Sequence, residues 1–130
     1  MKVLLSIKPE FAEKIFDGTK RFEFRRRIYK NEAVKSVIVY ASAPISKVIG
    51  EFEIETVHHD ELNSLWDSTV EFAGISEDFY REYFSGKEAG YAIEVKKVKK
   101  YHKPLGIRES FGIAPPQSFA YVDGKSPLNF

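Results

Sequence analysis

Between Gly18 and Arg27 the chain reads Gly-Thr-Lys-Arg-Phe-Glu-Phe-Arg-Arg-Arg: four arginines, a lysine and one carboxylate around two phenylalanines. Guanidinium groups take phosphate oxygens two at a time and an ammonium adds a point charge, so this composition suits an anion. A carboxylate among such bases can accept the exocyclic amino group of a nucleobase, which gives Glu23 a use of its own. With period two, Phe22 and Phe24 share one face of a strand, and Arg21, Glu23, Arg25 and Arg27 share the other. Lys20 has the wrong parity for that row. A left-handed turn at Gly18, ending a preceding helix, would let Lys20 lean toward Glu23. Charged rows of this kind are more often the solvated face of a strand, where Glu23 would do no more than balance its neighbours.

The same groups could support hydrolysis. Arg21 and Arg25 would lower the pKa of Lys20, making it a base, and Glu23 could relay a proton. Hydroxyls exist at Thr19, Ser42 and Ser118, but nothing in the spacing sets one beside Lys20. Tyr40 at a strand end, with Phe119 or Tyr121 in the tail, offers ring surface for an unpaired base. His58 and His59 are adjacent and would face opposite ways on a strand, and His102 stands alone, so no metal is expected. Phosphate-loop, dinucleotide and nucleophile-elbow patterns are absent, and no cofactor is implied.

The elements that must position these groups follow from pattern. Lys2 to Ile7 is a short apolar run of strand length. Pro9 opens an amphipathic helix with Phe11, Ala12, Ile15 and Phe16 on one side and Gly18 at its end. Val34 to Ala41 reads as a strand covered on both faces. Lys47 to Val57 alternates, with Val48, Gly50, Phe52 and Ile54 inward and an acidic face toward solvent; Gly50 marks a bend or a close approach. Asp60 is placed to cap one helix ending by Gly74. Ser76 caps a second, whose stripe of Phe79, Tyr80, Tyr83 and Phe84 reads as core, with Gly86 at its end. From Gly90 to Tyr101, Tyr91, Ile93 and Val95 point inward, but Val98 falls at the wrong interval, which predicts a β-bulge near Lys96 and Lys97. Pro104 to Phe130 reads as an extended segment with an edge strand near residues 117–122 that would close a barrel.

A length of 130 residues fits one domain spanning 1–130, with 43% hydrophobic residues to supply a core. Cysteine is absent, no window approaches a membrane span, and the N-terminus opens on a strand-like run, so a soluble cytoplasmic protein is expected. The net charge of +1 hides a segregation. Lys14 to Lys35 carries +5, Lys96 to Lys103 another +5, and Glu51 to Glu94 carries −10. One face of a nearly neutral protein could thereby be basic enough to attract a polyanion.

Gly18, Lys20, Glu23 and Arg25 match G-x-K-x-x-E-x-R, and on this motif the chain resembles the ASCH domain family. The Tyr40-Ala41-Ser42-Ala43-Pro44 segment with Lys47, and Pro115-Pro116-Gln117-Ser118-Phe119, also look like segments of that family. The resemblance implies an α+β fold, a small PUA-like β-barrel of five to six strands with two to three short helices. It implies binding of RNA or of a nucleotide; the ring surface points to single-stranded RNA, the hydropathy to no membrane partner, and the sequence leaves the oligomeric state unknown. The site would comprise Lys20, Glu23, Arg25, Arg27, Tyr40, Lys47, Ser118 and Phe119, in a cleft beside the first helix. The alternatives are a ribonuclease or modified-nucleoside amidohydrolase using Lys20 and Glu23, with Tyr40, Lys47 or Ser118 assisting, and a protein-interaction module docking through the acidic middle. Members that hydrolyse an acetylated cytidine carry threonine where this chain has Glu23.

Overall fold

The computed structural model describes residues 1–122. The part of the expected extended tail that runs from 123 to 130 lies outside the described residues. Strands form at β1 (Lys2–Ile7), β2 (Phe22–Arg25), β3 (Ser36–Ala41), β4 (Lys47–Glu61), β5 (Ala89–Leu105) and β6 (Phe119–Val122). Helices form at α1 (Pro9–Asp17), α2 (Leu62–Thr69), α3 (Glu77–Tyr83) and α4 (Ile107–Phe111), with a 3-10 turn at Val70–Phe72.

The strands make one sheet in the order β2-β5-β4-β3-β1-β6. β1 and β3 run parallel and every other pair is antiparallel. The α+β class expected from the sequence holds, but the sheet is not closed into a barrel: β2 and β6 are its two edges. β6 pairs with β1 through Leu5 and Phe119, so the tail strand extends the sheet instead of joining its far edge. The long β4–β5 ribbon carries β2 round to the C-terminal end of β1, where the Arg25 side chain bonds the Ser6 carbonyl at 2.9 Å. A side chain spans the gap that backbone pairing leaves open.

Apolar alternation builds a core on each face. Val3, Leu5, Val37, Val39, Phe52 and Ile93 meet Ala12 and Ile15 of α1. Leu4, Ile38, Tyr40, Val48, Tyr101 and Leu105 meet Ile107 of α4. A third cluster joins Phe24 and Ala92 to Leu65 and Trp66 of α2 and to Tyr80 and Phe84 of the α3 end. Gly50 is the close approach expected of it, because a Cβ there would lie 2.6 Å from both the Phe16 ring and the Lys99 carbonyl oxygen. α1 can therefore lie flat on the sheet.

Several local expectations change. The β4–β5 register steps from Glu53 opposite Lys97 to Ile54 opposite Val95, which leaves Lys96 as the extra residue where a bulge was expected. Val98 nonetheless stays 42% exposed, although Phe52 opposite it is buried in the α1-side core. A further irregularity between Val48 and Gly50 breaks the simple alternation of β4 and buries Ile49. Glu51 does not face open solvent: it accepts from Lys2 Nζ at 2.9 Å and from the Tyr101 hydroxyl at 2.6 Å. β4 continues through Asp60, so Glu61 caps α2 by accepting from the Asn63 and Ser64 amides. The segment after Pro104 contains α4, which forms because Ile107 reaches the core.

Candidate functional site

α1 ends at Gly18, whose φ of 88° reverses the chain. Lys20 is thereby turned inward and is 1% exposed, among the largest fully buried side chains of the protein. Its Nζ donates to the Ala73 carbonyl at 2.7 Å and lies 5.0 Å from the Phe24 ring centre and 5.3 Å from that of Phe11. The turn after α2 is shaped to this lysine. Phe72 O accepts from the Arg21 amide, Ala73 O from Lys20 Nζ and Gly74 O from Lys14 Nζ, so three successive carbonyl dipoles face the basic segment. Gly74 has φ +69°, and a Cβ there would come within 2.5 Å of the Lys20 stem.

Glu23 is 7% exposed, so the bland expectation of a solvated charge row is not what forms. Arg25 Nη2 sits 3.2 Å from Glu23 Oε2 and donates to Ser6 O at 2.9 Å, while its buried Nε has no hydrogen-bond partner. Burial pushes the Lys20 pKa down to about 8; Glu23 opposes the shift, and Lys14 and Arg25 add to it. Arginine proximity was the expected cause, but desolvation is the larger one. A carbonyl and two ring faces are modest solvation for an ammonium taken out of water.

These side chains line a cavity of about 240 Å³ between the end of β1, α1, β2 and α3. Ser6, Ile7, Lys8, Phe11, Lys20, Glu23, Phe24, Arg25, Ile75, Phe79 and Tyr83 form its walls. Lys20, Glu23 and Arg25 thus meet in one place despite their parity. Phe11 and Phe79 pack edge to face at 5.2 Å, Tyr83 stacks parallel to Phe79 at 6.5 Å, and Lys8 Nζ stands 5.0 Å from the Phe79 ring centre. Burial raises the Tyr83 pKa, so its hydroxyl keeps its proton at neutral pH.

Other expected residues lie elsewhere. Arg27 follows the end of β2 and is exposed, because the strand stops at Arg25. Tyr40 falls by alternation with Leu4 and Ile38 on the α4 face and is buried there. Lys47 is exposed at the start of β4 and Ser118 is exposed just before β6. Phe119 packs against the α1-side core and Tyr29 instead of the cavity. The Thr19 hydroxyl is engaged with Asp17 at 2.6 Å, His58 pairs with Glu94 at 2.7 Å, and His59 stacks on Tyr91. Sequence reasoning missed Lys8, Phe11, Phe79 and Tyr83 as lining residues. The signal was there in part: Pro9 at the first helical position sets Lys8 at the helix mouth. The four-residue spacing of Phe79 and Tyr83 puts them on a different side of α3 from Tyr80 and Phe84.

The sequence profile of the ASCH domain matches residues 5–104. The chain belongs to the ASCH domain family. An ASCH domain-containing ribonuclease of Zymomonas mobilis is 33% identical over 130 residues, covering 93% of this chain and 84% of that protein. The crystal structure of ASCH from Zymomonas mobilis superposes with a TM-score of 0.87 at 31% identity, covering 95% of this chain and 88% of that one. A large ribosomal subunit protein of Ureaplasma parvum is 29% identical over 120 residues; the chain spans 39% of its length. The chain spans only 15% of an ATP synthase subunit alpha from the same organism, at 30% identity. An ASCH domain can therefore resemble a segment of much longer proteins, and the fold alone fixes no activity. No helix among the described residues is long and apolar enough to cross a membrane.

Proposed function

We propose that this chain, acting as one ASCH domain, binds RNA by taking a single nucleotide unit into the cavity at α1, β2 and α3. Lys20 and Arg25 hold a phosphate, Glu23 accepts a base amino group, and Phe11, Phe79 and Tyr83 pack against the base. The observation that carries the reading is the Lys20 ammonium, 1% exposed and hydrogen-bonded to a neutral carbonyl, on the wall of an aromatic cavity. Burying a cation this way costs free energy that an incoming anion returns. The 240 Å³ cavity falls just below the roughly 300–1,000 Å³ that encloses a drug-sized ligand, so it holds at most one nucleotide unit and excludes a duplex. Recognition of an unpaired base follows from that size.

Cleavage of the bound RNA is a second reading, favoured by the name of the Zymomonas mobilis relative and by a Lys20 pKa of about 8. A group titrating near neutrality can exchange protons during a reaction. The nucleophile missing from the protein is present in RNA: the 2′-hydroxyl loses its proton to a base and attacks the adjacent phosphorus. The bond to the 5′-oxygen breaks, that oxygen takes a proton, and a cyclic phosphate and a 5′-hydroxyl result.

Titration of labelled single-stranded and duplex RNA, with parallel incubation of oligoribonucleotides followed on gels, tests both readings. Single strands should bind more tightly, and Lys20→Met should weaken their binding. Equal affinity for single and double strands, or binding indifferent to Lys20→Met, refutes the cavity as the RNA site. If Glu23 only accepts a base amino group, Glu23→Gln should alter affinity by about 1–3 kcal/mol; if it transfers protons, turnover should fall roughly a hundredfold or more. A wild type that leaves oligoribonucleotides intact refutes the cleavage reading alone.

A further inference from the structure

We infer that the lysine-rich half of β5, Lys96 to Lys103, is a second RNA contact that grips phosphates of the strand leading out of the cavity. The inference rests on the RNA part of the reading above. Lys96, Lys97, Lys99, Lys100 and Lys103 are all exposed, and His102 beside them is exposed too. Lys100 pairs with Glu13 of α1 at 3.3 Å. Lys96, Lys97 and Lys103 make no ion pair among the described residues, although Lys97 stands opposite Glu53 in the ladder.

Two irregularities raise these lysines. Lys96 is the extra residue where the register steps between Glu53 and Ile54. Lys100 opposes Gly50 while Leu105 opposes Val48, so residues 101–104 face a single residue of β4 and Lys103 rides on the excursion. Bulges redirect side chains without loosening the paired strands on either side, so the cations sit on a stiff ribbon.

The ribbon is continuous with the cavity wall. β2 pairs with β5 from Arg25 opposite Tyr91 to Phe22 opposite Glu94, and the Val95 amide then donates to the Arg21 carbonyl at 2.9 Å. Lys96 follows Val95, just as Arg21 follows Lys20. The basic run therefore begins where the strand carrying Glu23 and Arg25 begins, and extends away for about 13 Å, the rise of β4 from Glu53, opposite Lys97, to Ile49, which faces the excursion. That length exceeds one nucleotide, and its chemistry is that of phosphate contacts, which position a strand without reading its bases.

The test compares the wild type with Lys96→Ala/Lys97→Ala/Lys103→Ala, using a dinucleotide and a long single-stranded RNA across a range of salt. Among the described residues these side chains make no ion pair, and equal thermal midpoints would verify that the fold does not depend on them. For the long RNA, losing three phosphate contacts should flatten the slope of log affinity against log salt by about 2, at about 0.7 per contact on a single strand. Between about 50 and 200 mM salt the wild type should then lose roughly 20-fold more affinity than the variant. The dinucleotide should bind both alike. Parallel slopes for the long RNA, or an equal loss with the dinucleotide, overturn the inference. A wild type that binds no RNA overturns it together with the proposed function. Flattened slopes alongside dinucleotide binding that ignores Lys20→Met would uphold the ribbon and refute the cavity.

Discussion

Lys20→Met offers a measurement that depends on burial of the ammonium and on no ligand. The lysine is 1% exposed and titrates at about 8, against 10.5 for the free side chain. Below pH 8 both folded and unfolded chains carry the proton, and the folded state bears the full cost of the buried charge. Between pH 8 and 10.5 the folded state has released its proton while the unfolded chain still holds one. The unfolded state then binds more protons, so stability rises with pH through this window. A shift of this size corresponds to about 3 kcal/mol at 1.36 kcal/mol per pH unit. Methionine keeps most of the stem volume and removes the charge, though it leaves the Ala73 carbonyl without its donor, a pH-independent cost of about 1–3 kcal/mol. Urea unfolding of both proteins at intervals from pH 7 to 10.5 separates the two effects, because other titrating groups cancel in the difference. Wild type should gain about 3 kcal/mol on the variant across the window. A difference that stays flat, or moves the other way, refutes the argument that desolvation dominates at Lys20.

Gly74→Ala should destabilise the fold by about 1–3 kcal/mol from the positive φ alone, with a further cost for displacing the Lys20 stem, and should weaken RNA binding in parallel; denaturant unfolding and titration check it. Phe79→Ala should lower dinucleotide affinity by about 1–3 kcal/mol, the usual worth of one base stacked on a ring, and an unchanged dissociation constant at fixed salt would remove Phe79 from the site.

The sequence made β1, α1, the Gly18 turn, the Ser76 cap and the Lys96 bulge legible, because each rests on neighbours within a few residues. It also brought Lys20, Glu23 and Arg25 together by spacing, and left unread what depends on distant partners. Nothing near Lys20 says that the Phe72 to Gly74 carbonyls will line up beside it, some fifty residues further on. Tyr40 looked available at a strand end, yet it packs with Leu4, Tyr101 and Ile107, drawn from three other elements. Open or closed sheet is likewise a long-range property. An edge strand near residues 117–122 was readable and forms at Phe119–Val122, but its partner, β1 and not β2, was not.

That topology gives Arg25 two roles that mutation will confuse. Its guanidinium lines the cavity, and through Ser6 O it also ties the edge strand β2 to the end of β1, across the place where a barrel would have closed with backbone bonds. Removing it would strand Glu23 as a buried carboxylate, at a cost of about 3–5 kcal/mol, and would release the edge that positions Glu23 itself. Lost RNA binding in Arg25→Ala would therefore say little about contact with phosphate. Lysine at this position keeps the charge, but its stem is one atom shorter than the arm that now brings Nη2 to both Glu23 and Ser6 O, so its ammonium reaches them less well. Arg25→Lys should accordingly lower stability by more than a surface exchange, yet retain some RNA affinity if the charge faces a phosphate. Unfolding and dinucleotide titration of the same preparation separate the roles: stability lost with affinity kept marks the tie between strands, and affinity lost beyond the unfolded fraction marks the ligand.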